Sequence, residues 1–137
     1  METYEFIEFV QSLEYEDEVL QAVRDYLREA VEQERYGRIV ILARSEIADL
    51  VVDAIMEIEE PSLRLLGLFN LASNPKLSSG NQLRLIETGE PAVIQELALN
   101  TESEDVFEEA LSRFCDDEEM VKFLEEMMYA REGRYFF

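Results

Sequence analysis

The chain has 137 residues, 47% of them hydrophobic, and 32 acidic against 12 basic residues give it a formal charge of −20. That length and apolar share specify one ordinary folded domain rather than a disordered acidic tail, which would lack the apolar residues to offset chain entropy. The charge repels nucleic acid and anionic membranes and attracts basic proteins, so neither direct nucleic-acid binding nor membrane association is expected.

The N-terminus, METYEFIEF, is acidic and aromatic, unlike the basic start of a signal peptide. The longest uninterrupted apolar run, Ile39 to Ala43, has five residues, far short of the roughly 20 that span a bilayer. Phe6, Ile7, Phe9, Val10 and Leu13 predict a short first helix. Val19, Val23, Tyr26 and Ala30, widened by Leu20, Leu27 and Val31, form the apolar stripe of a second. It runs from about Glu16 to Arg35, with Gly37 as its expected stop. Ile47, Leu50, Val51, Ala54 and Ile55 mark a further helix that Ser45 is placed to cap. Pro61 opens the next, because a proline at the first helical position loses an N–H that has no partner there anyway.

A repeat then becomes visible. Leu42-Ala43, Leu71-Ala72 and Leu97-Ala98 are spaced by 29 and 26 residues, and Ile39, Leu68 and Ile94 each stand three residues ahead of a pair. A short polar break follows each pair, in LASNP at Leu71–Pro75 and LALNT at Leu97–Thr101 for the later two. Each break leads into a second helix, over 46–55, 79–86 and 103–114. Two of the leading helices open alike, at Glu60-Pro61 and Glu90-Pro91. Leucine fills the groove to the next unit, alanine permits close approach, and asparagine suits a left-handed helix end. Ser79 with Gln82, and Thr101 with Glu104, have capping-box spacing. A weaker fourth unit starts near Asp116-Asp117, with Met120, Val121 and Leu124 as its stripe. Such units cannot bury their apolar faces alone and must stack.

This pattern resembles the leucine-rich repeat variant (LRV) family, whose units read as a short helix, Leu-Ala, Asn-Pro and a second helix. The likeness is best over 61–114, weaker over 36–55, marginal after Cys115 and absent from 1–35. It implies a right-handed stack of alternating short helices, and HEAT-like repeats would give the same periodicity. The cysteine-rich iron–sulfur segment associated with some members of that family has no counterpart beside the single Cys115. The fold expected is all-α: one domain over 1–137, a short α-solenoid of LRV- or HEAT-like repeats over 36–137 with an N-terminal helical pair in 1–35.

The chemistry of enzymes is sparse. There is no His and no Trp, which removes the commonest proton shuttle and metal ligand along with the serine and cysteine nucleophile systems that use it. One cysteine allows no internal disulfide and fits a reducing compartment, so the expected location is cytoplasmic, with Cys115 buried beside Phe114. Asp116-Asp117-Glu118-Glu119 lacks the alternating ligands and central glycine of an EF-hand. Ser78-Ser79-Gly80 lacks the Gly-Lys-Ser/Thr of a phosphate loop. A carboxylate pair for glycoside hydrolysis stays open among so many acids, though no pair stands out. The chain is therefore expected to be no enzyme, with no catalytic residue, no metal and no cofactor.

Residues 1–60 carry 17 acids and five arginines, and 87–137 carry 15 acids and four bases. Residues 61–86 hold Arg64, Lys76 and Arg84 and no acid at all. A central repeat covered by its neighbours explains that gap; a site where those three cations receive another chain's acidic patch is the sharper alternative. The acids themselves exceed the roughly two to eight charges that solubility asks of a small domain. Carboxylates one helical turn apart, about 5.4 Å, match the few-ångström spacing of duplex phosphates. The expected function is a stoichiometric inhibitor that occupies the basic nucleic-acid-binding surface of a partner protein, in an anti-defence or toxin-immunity setting. Its contact residues would be Glu57, Glu59, Glu60, Glu102, Glu104, Asp105, Asp116, Asp117, Glu118 and Glu119. The alternative is a scaffold binding through an apolar groove around Leu66, Leu68 and Phe69. Tyr4, Phe6 and Phe9 at one end, and Tyr129, Tyr135, Phe136 and Phe137 at the other, either plug the stack or support a homodimer.

Overall fold

The computed structural model describes residues 2–135, and side chains as far as Ala130. The described residues form nine α-helices and no strand. They fall in two compact units, Met1–Leu77 and Ser78–Phe137. The acid-free segment straddles this division. Each unit accordingly carries a net charge of −10, from 17 acids against seven bases in the first and 15 against five in the second.

The first unit contains α1 (Thr3–Ser12), α2 (Glu16–Glu32), α3 (Gly37–Arg44), α4 (Ala48–Met56) and α5 (Pro61–Ala72). Besides packing on its sequence neighbours, α3 packs on α1 and α5, while α4 packs on α2. Contact between alternate helices is what a two-layer stack of helical pairs produces. The second unit contains α6 (Ser79–Glu87), α7 (Pro91–Asn100), α8 (Glu104–Arg113) and α9 (Glu118–Tyr135), and repeats the arrangement with α6 on α8 and α7 on α9. The described residues are thus all-α, and each unit is a short stack of packed helical pairs, led in the first by α1 and α2.

The repeat positions supply the core. All three Leu-Ala pairs are buried, as are Ile39, Leu68 and Ile94 ahead of them. Gly67 of α5 lies against the layer below: a Cβ there would stand 2.6 Å from Ile55 Cγ2 and 3.3 Å from Ile39 Cγ2. In the N-terminal pair, Phe6 stacks on Tyr26 with ring centres 4.0 Å apart, the Tyr26 hydroxyl hydrogen-bonds Thr3 Oγ1 at 2.8 Å, and the Arg38 guanidinium covers the same ring. Phe6 is therefore a plug, whereas Tyr4 and Phe9 are exposed.

The helix ends correct several expectations. Helix α2 stops at Glu32, before Arg35, and Gly37 begins α3 instead of ending α2. The left-handed residue is Glu34, φ 57°, closed by Arg35 N–H to Ala30 C=O and Glu34 N–H to Val31 C=O. That bond pair is the Schellman motif. Neither Asn74 nor Asn100 takes a left-handed conformation. Asn74 is buried, and its Nδ2 donates to the Ala43 and Ser45 carbonyls while its Oδ1 accepts from Lys76 N–H. Its task is to join the end of one repeat to the end of the preceding one. Ser45 Oγ accepts from Ile47 N–H in the α3–α4 turn, ahead of the α4 start at Ala48.

Both proposed capping boxes fail, for separate reasons. The cap of α6 is Ser78, whose side chain accepts from Asn81 N–H, and Ser79 is the first helical residue. Thr101 is buried and donates to Gln82 Oε1, so the residue preceding α8 is Ser103, which makes no side-chain cap. Cys115 is exposed in the turn after α8 rather than buried.

Candidate functional site

In the first unit, the outward side of α2 and the link from α4 to α5 enclose an open cleft of about 690 Å³. Leu27, Val31, Ala54 and Ile58 supply its apolar lining, and Arg24, Arg28, Glu32, Glu57, Glu59 and Glu60 its charges. The helical period of α2 generates this arrangement. Leu27 lies in the core stripe, while Arg24, Arg28 and Glu32 recur every four residues along its flank.

Arg24 and Glu57 tie the two walls together. The guanidinium donates from Nε to Oε2 at 2.6 Å and from Nη2 to Oε1 at 2.5 Å, the bidentate geometry that arginine's planar fork suits. These hydrogen bonds hold the Glu57 carboxyl below its ordinary value of 4.5 and raise the Arg24 guanidinium above its own. Both side chains are well exposed, 36% and 47%, so water screens the pair. The linkage signs follow. A carboxylate whose folded value is depressed stabilises fully above its unfolded value and loses that contribution as pH falls through the folded one. The raised Arg24 remains charged at every pH the protein meets. Comparing native protein with Glu57→Gln by urea unfolding, we expect a constant difference in midpoint above about pH 5.5 that shrinks below about pH 4.5. A difference independent of pH down to 3 would show that the pair does not act in the folded state.

The remaining candidate acids divide by role. Glu60 Oε2 accepts from Leu63 N–H and caps α5, and Asp117 Oδ1 accepts from Met120 N–H at the start of α9. Glu59 is exposed in the α4–α5 link. In the second unit Glu102, Glu104, Asp105, Asp116, Glu118 and Glu119 are all exposed, at the starts of α8 and α9. Glu108, Glu109, Glu125 and Glu126 extend the acidic surface into the interiors of those two packed helices. The ten proposed contact residues therefore form two sets: three on the cleft of the first unit and seven on α8, α9 and the turns before them in the second.

The three cations of the acid-free segment are differently placed. Arg64 is half-buried and donates to the Ile58 carbonyl at 2.9 Å; Arg84 is half-buried and donates to Asn81 Oδ1 at 3.2 Å; Lys76 is exposed. Of the suggested groove residues, Leu68 belongs to the core, and Leu66 and Phe69 are half-buried. Tyr129 is exposed, the Tyr135 side chain is not among those described, and Phe136 and Phe137 lie outside the described residues. Among the described residues no three carboxylates or thiolates converge where they could hold a metal ion, and no helix is long and apolar enough to cross a membrane.

Sequence reasoning named Glu57 but missed Arg24, 33 residues away, which no local pattern connects to it. The four-residue spacing of Arg24, Arg28 and Glu32 put them together on the polar side of α2 in the sequence, but nothing there marked them as site residues. No protein-family model matches the chain, and neither the curated proteins nor the solved structures compared with it yield a match.

Proposed function

We propose that this chain is a non-enzymatic protein-binding inhibitor whose fixed carboxylates occupy the basic, nucleic-acid-binding surface of a partner. In the same reading its helical pairs are repeats of leucine-rich-variant type, serving as a rigid frame for charge. The observation that carries the reading is the acidic surface of α8 and α9. Acids in the first turn of a helix have a local explanation, since they complement the helix dipole. That accounts for Glu104, Asp105, Glu118 and Glu119. It does not account for Glu108, Glu109, Glu125 and Glu126, which lie beyond the first turn, exposed and without a partner among the described residues.

Carboxylates held on helices cost a partner little ordering when they meet its arginines and lysines, and opposite potentials speed encounter. Self-repulsion within each unit is relieved in the complex, which adds to the preference for a basic surface. The setting this suits is a small blocker of a nuclease or other nucleic-acid-binding protein in the cytoplasm.

The test is charge reversal at Glu102→Lys, Glu104→Lys and Asp105→Lys together. We expect the variant to keep its helical spectrum and to lose about tenfold or more in affinity for a basic protein captured from nuclease-treated lysate at low salt. Binding by the native chain should also weaken steeply as salt rises, because the Debye length falls from about 8 Å at 0.15 M to about 3 Å at 1 M. Unchanged capture by the triple variant would remove these residues from the interface. Capture that resists 1 M salt would contradict a charge-based contact.

A further inference from the structure

The cleft of the first unit has a feature that a bare acidic surface lacks: apolar side chains among the charged ones. It follows α2 from Gln21 to Glu32. Those eleven steps span about 16 Å of helix, the length of about five residues of extended chain. Its volume, about 690 Å³, lies within the roughly 300–1,000 Å³ typical of ligand pockets. The floor of Leu27, Val31, Ala54 and Ile58 suits methylene and small apolar side chains.

The charges are unequal in what they leave available. Arg24 is engaged by Glu57, and Arg28 lies 3.5 Å from Asp25. Glu60 is occupied with the start of α5. The lining carboxylates without a partner among the described residues are Glu32 and Glu59. Glu32 is also the last residue of α2, where the helix dipole adds negative potential. The lining thus leaves two carboxylates available to a cation, while Arg24 and Arg28 are already held by the chain's own carboxylates.

We propose that this cleft binds an extended segment of a partner protein carrying one arginine or lysine among apolar residues, with the cation at Glu32 and Glu59 and the neighbouring side chains over Leu27, Val31 and Ile58. The inference rests on the reading of the chain as a binder of basic proteins, and adds that one contact is a shaped pocket as well as a charged surface. A polybasic run fits it poorly, because its extra cations meet Arg24 and Arg28. This separates the cleft from the surface of α8 and α9, which rewards every added positive charge.

The probe is the blocked pentapeptide acetyl-Leu-Ala-Arg-Ala-Leu-amide, titrated into the full ¹⁵N-labelled chain at 0.15 M salt and followed by amide chemical shifts. The same peptide with citrulline in place of arginine is the uncharged comparison. Shifts confined to residues 21–32 and 54–60 are expected, with about tenfold weaker binding for the citrulline peptide. The double variant Glu32→Gln, Glu59→Gln should lose binding to a similar degree, while Glu104→Gln, Asp105→Gln retains it. Amide spectra of both variants report whether the fold is kept.

Shifts spread over both units, equal losses from the two double variants, or no shift in the cleft would each overturn the pocket. None of these outcomes touches the acidic surface of the second unit, whose own test is the salt-dependent capture and the triple reversal. If capture proves insensitive to salt and to the triple reversal while the peptide still seats in the cleft, the inhibitor reading fails and the pocket stands.

Discussion

Gly67→Ala lowers the stability of the first unit by about 1–2 kcal/mol, although glycine to alanine in an open helix interior normally stabilises by about 1 kcal/mol. The reversal of sign comes from packing. The new methyl would sit 2.6 Å from Ile55 Cγ2 and 3.3 Å from Ile39 Cγ2. Both neighbours are fully buried β-branched side chains, and Cγ2 is attached directly to a stiff Cβ, so neither can swing aside. Relief requires α5 to move, which loosens its contacts with α3 and α4 together. Gly80→Ala in the first turn of α6 is the internal control, since a Cβ there meets nothing within 4 Å. It should raise stability by several tenths of a kcal/mol. The mechanism is separable by a double-mutant cycle. Ile55→Ala removes the clashing methyl, so its combination with Gly67→Ala should be less destabilising than the sum of the two by about 1 kcal/mol, whereas Ile55→Val retains Cγ2 and should give no relief. Urea unfolding of these single and double variants decides it. Additive losses, or a stabilising Gly67→Ala, would mean the close approach of α5 is not present in solution.

Asn74→Ala costs about 2–4 kcal/mol by the same measurement. The side chain is 5% exposed and makes three hydrogen bonds to backbone groups, two of them to carbonyls at the end of α3. The Ala43 carbonyl lies in the last turn of that helix, where no intrahelical N–H is available. Truncation leaves it buried and unpaired, and an unsatisfied buried group costs roughly 1–3 kcal/mol. Asn74→Asp should be at least as harmful at neutral pH. The carboxylate has no donor for either carbonyl, and it sets negative charge against their oxygens. A loss below about 0.5 kcal/mol for both variants would show that the bridge between repeats is replaced by water at no cost.

These two residues show what was legible in the chain and what was not. The Leu-Ala pairs and the aliphatics three residues ahead of them announced themselves through the helical period, and all of them are core. Pro61 and Pro91 marked the first residues of α5 and α7 for a reason confined to one peptide group. Asn74 drew notice as a helix stop, but its role depends on carbonyls 29 and 31 residues earlier, which only the stacked repeats bring within reach. The misplaced caps have a related cause. Ser78 and Ser79 are chemically the same, and backbone dihedrals alone decide which is outside the helix. Thr101 was available to cap α8 until Gln82, from a helix packed against it, claimed its hydroxyl.

The charge map was legible as a count and illegible as a surface. An acid-free stretch between two acidic arms becomes, once the division at residues 77 and 78 is known, part of two units of equal charge. Glu57, chosen for the acids around it, turned out to be held by Arg24. Glu104 and Asp105, chosen on the same grounds, stand free among the described residues. Local sequence reports the density of charge, while the fold decides which charges remain unspent.

The acidic surface of α8 and α9 is proposed to take the place of nucleic acid on a basic partner, and mutual exclusion tests that proposal most directly. The protein captured at low salt from nuclease-treated lysate is released, purified and given labelled duplex DNA or RNA together with increasing amounts of this chain at 0.15 M salt. Displacement of the nucleic acid in proportion to the chain added, and its failure with the triple lysine variant, is the predicted result. A stable ternary complex, with the partner holding nucleic acid and this chain at once, would contradict it.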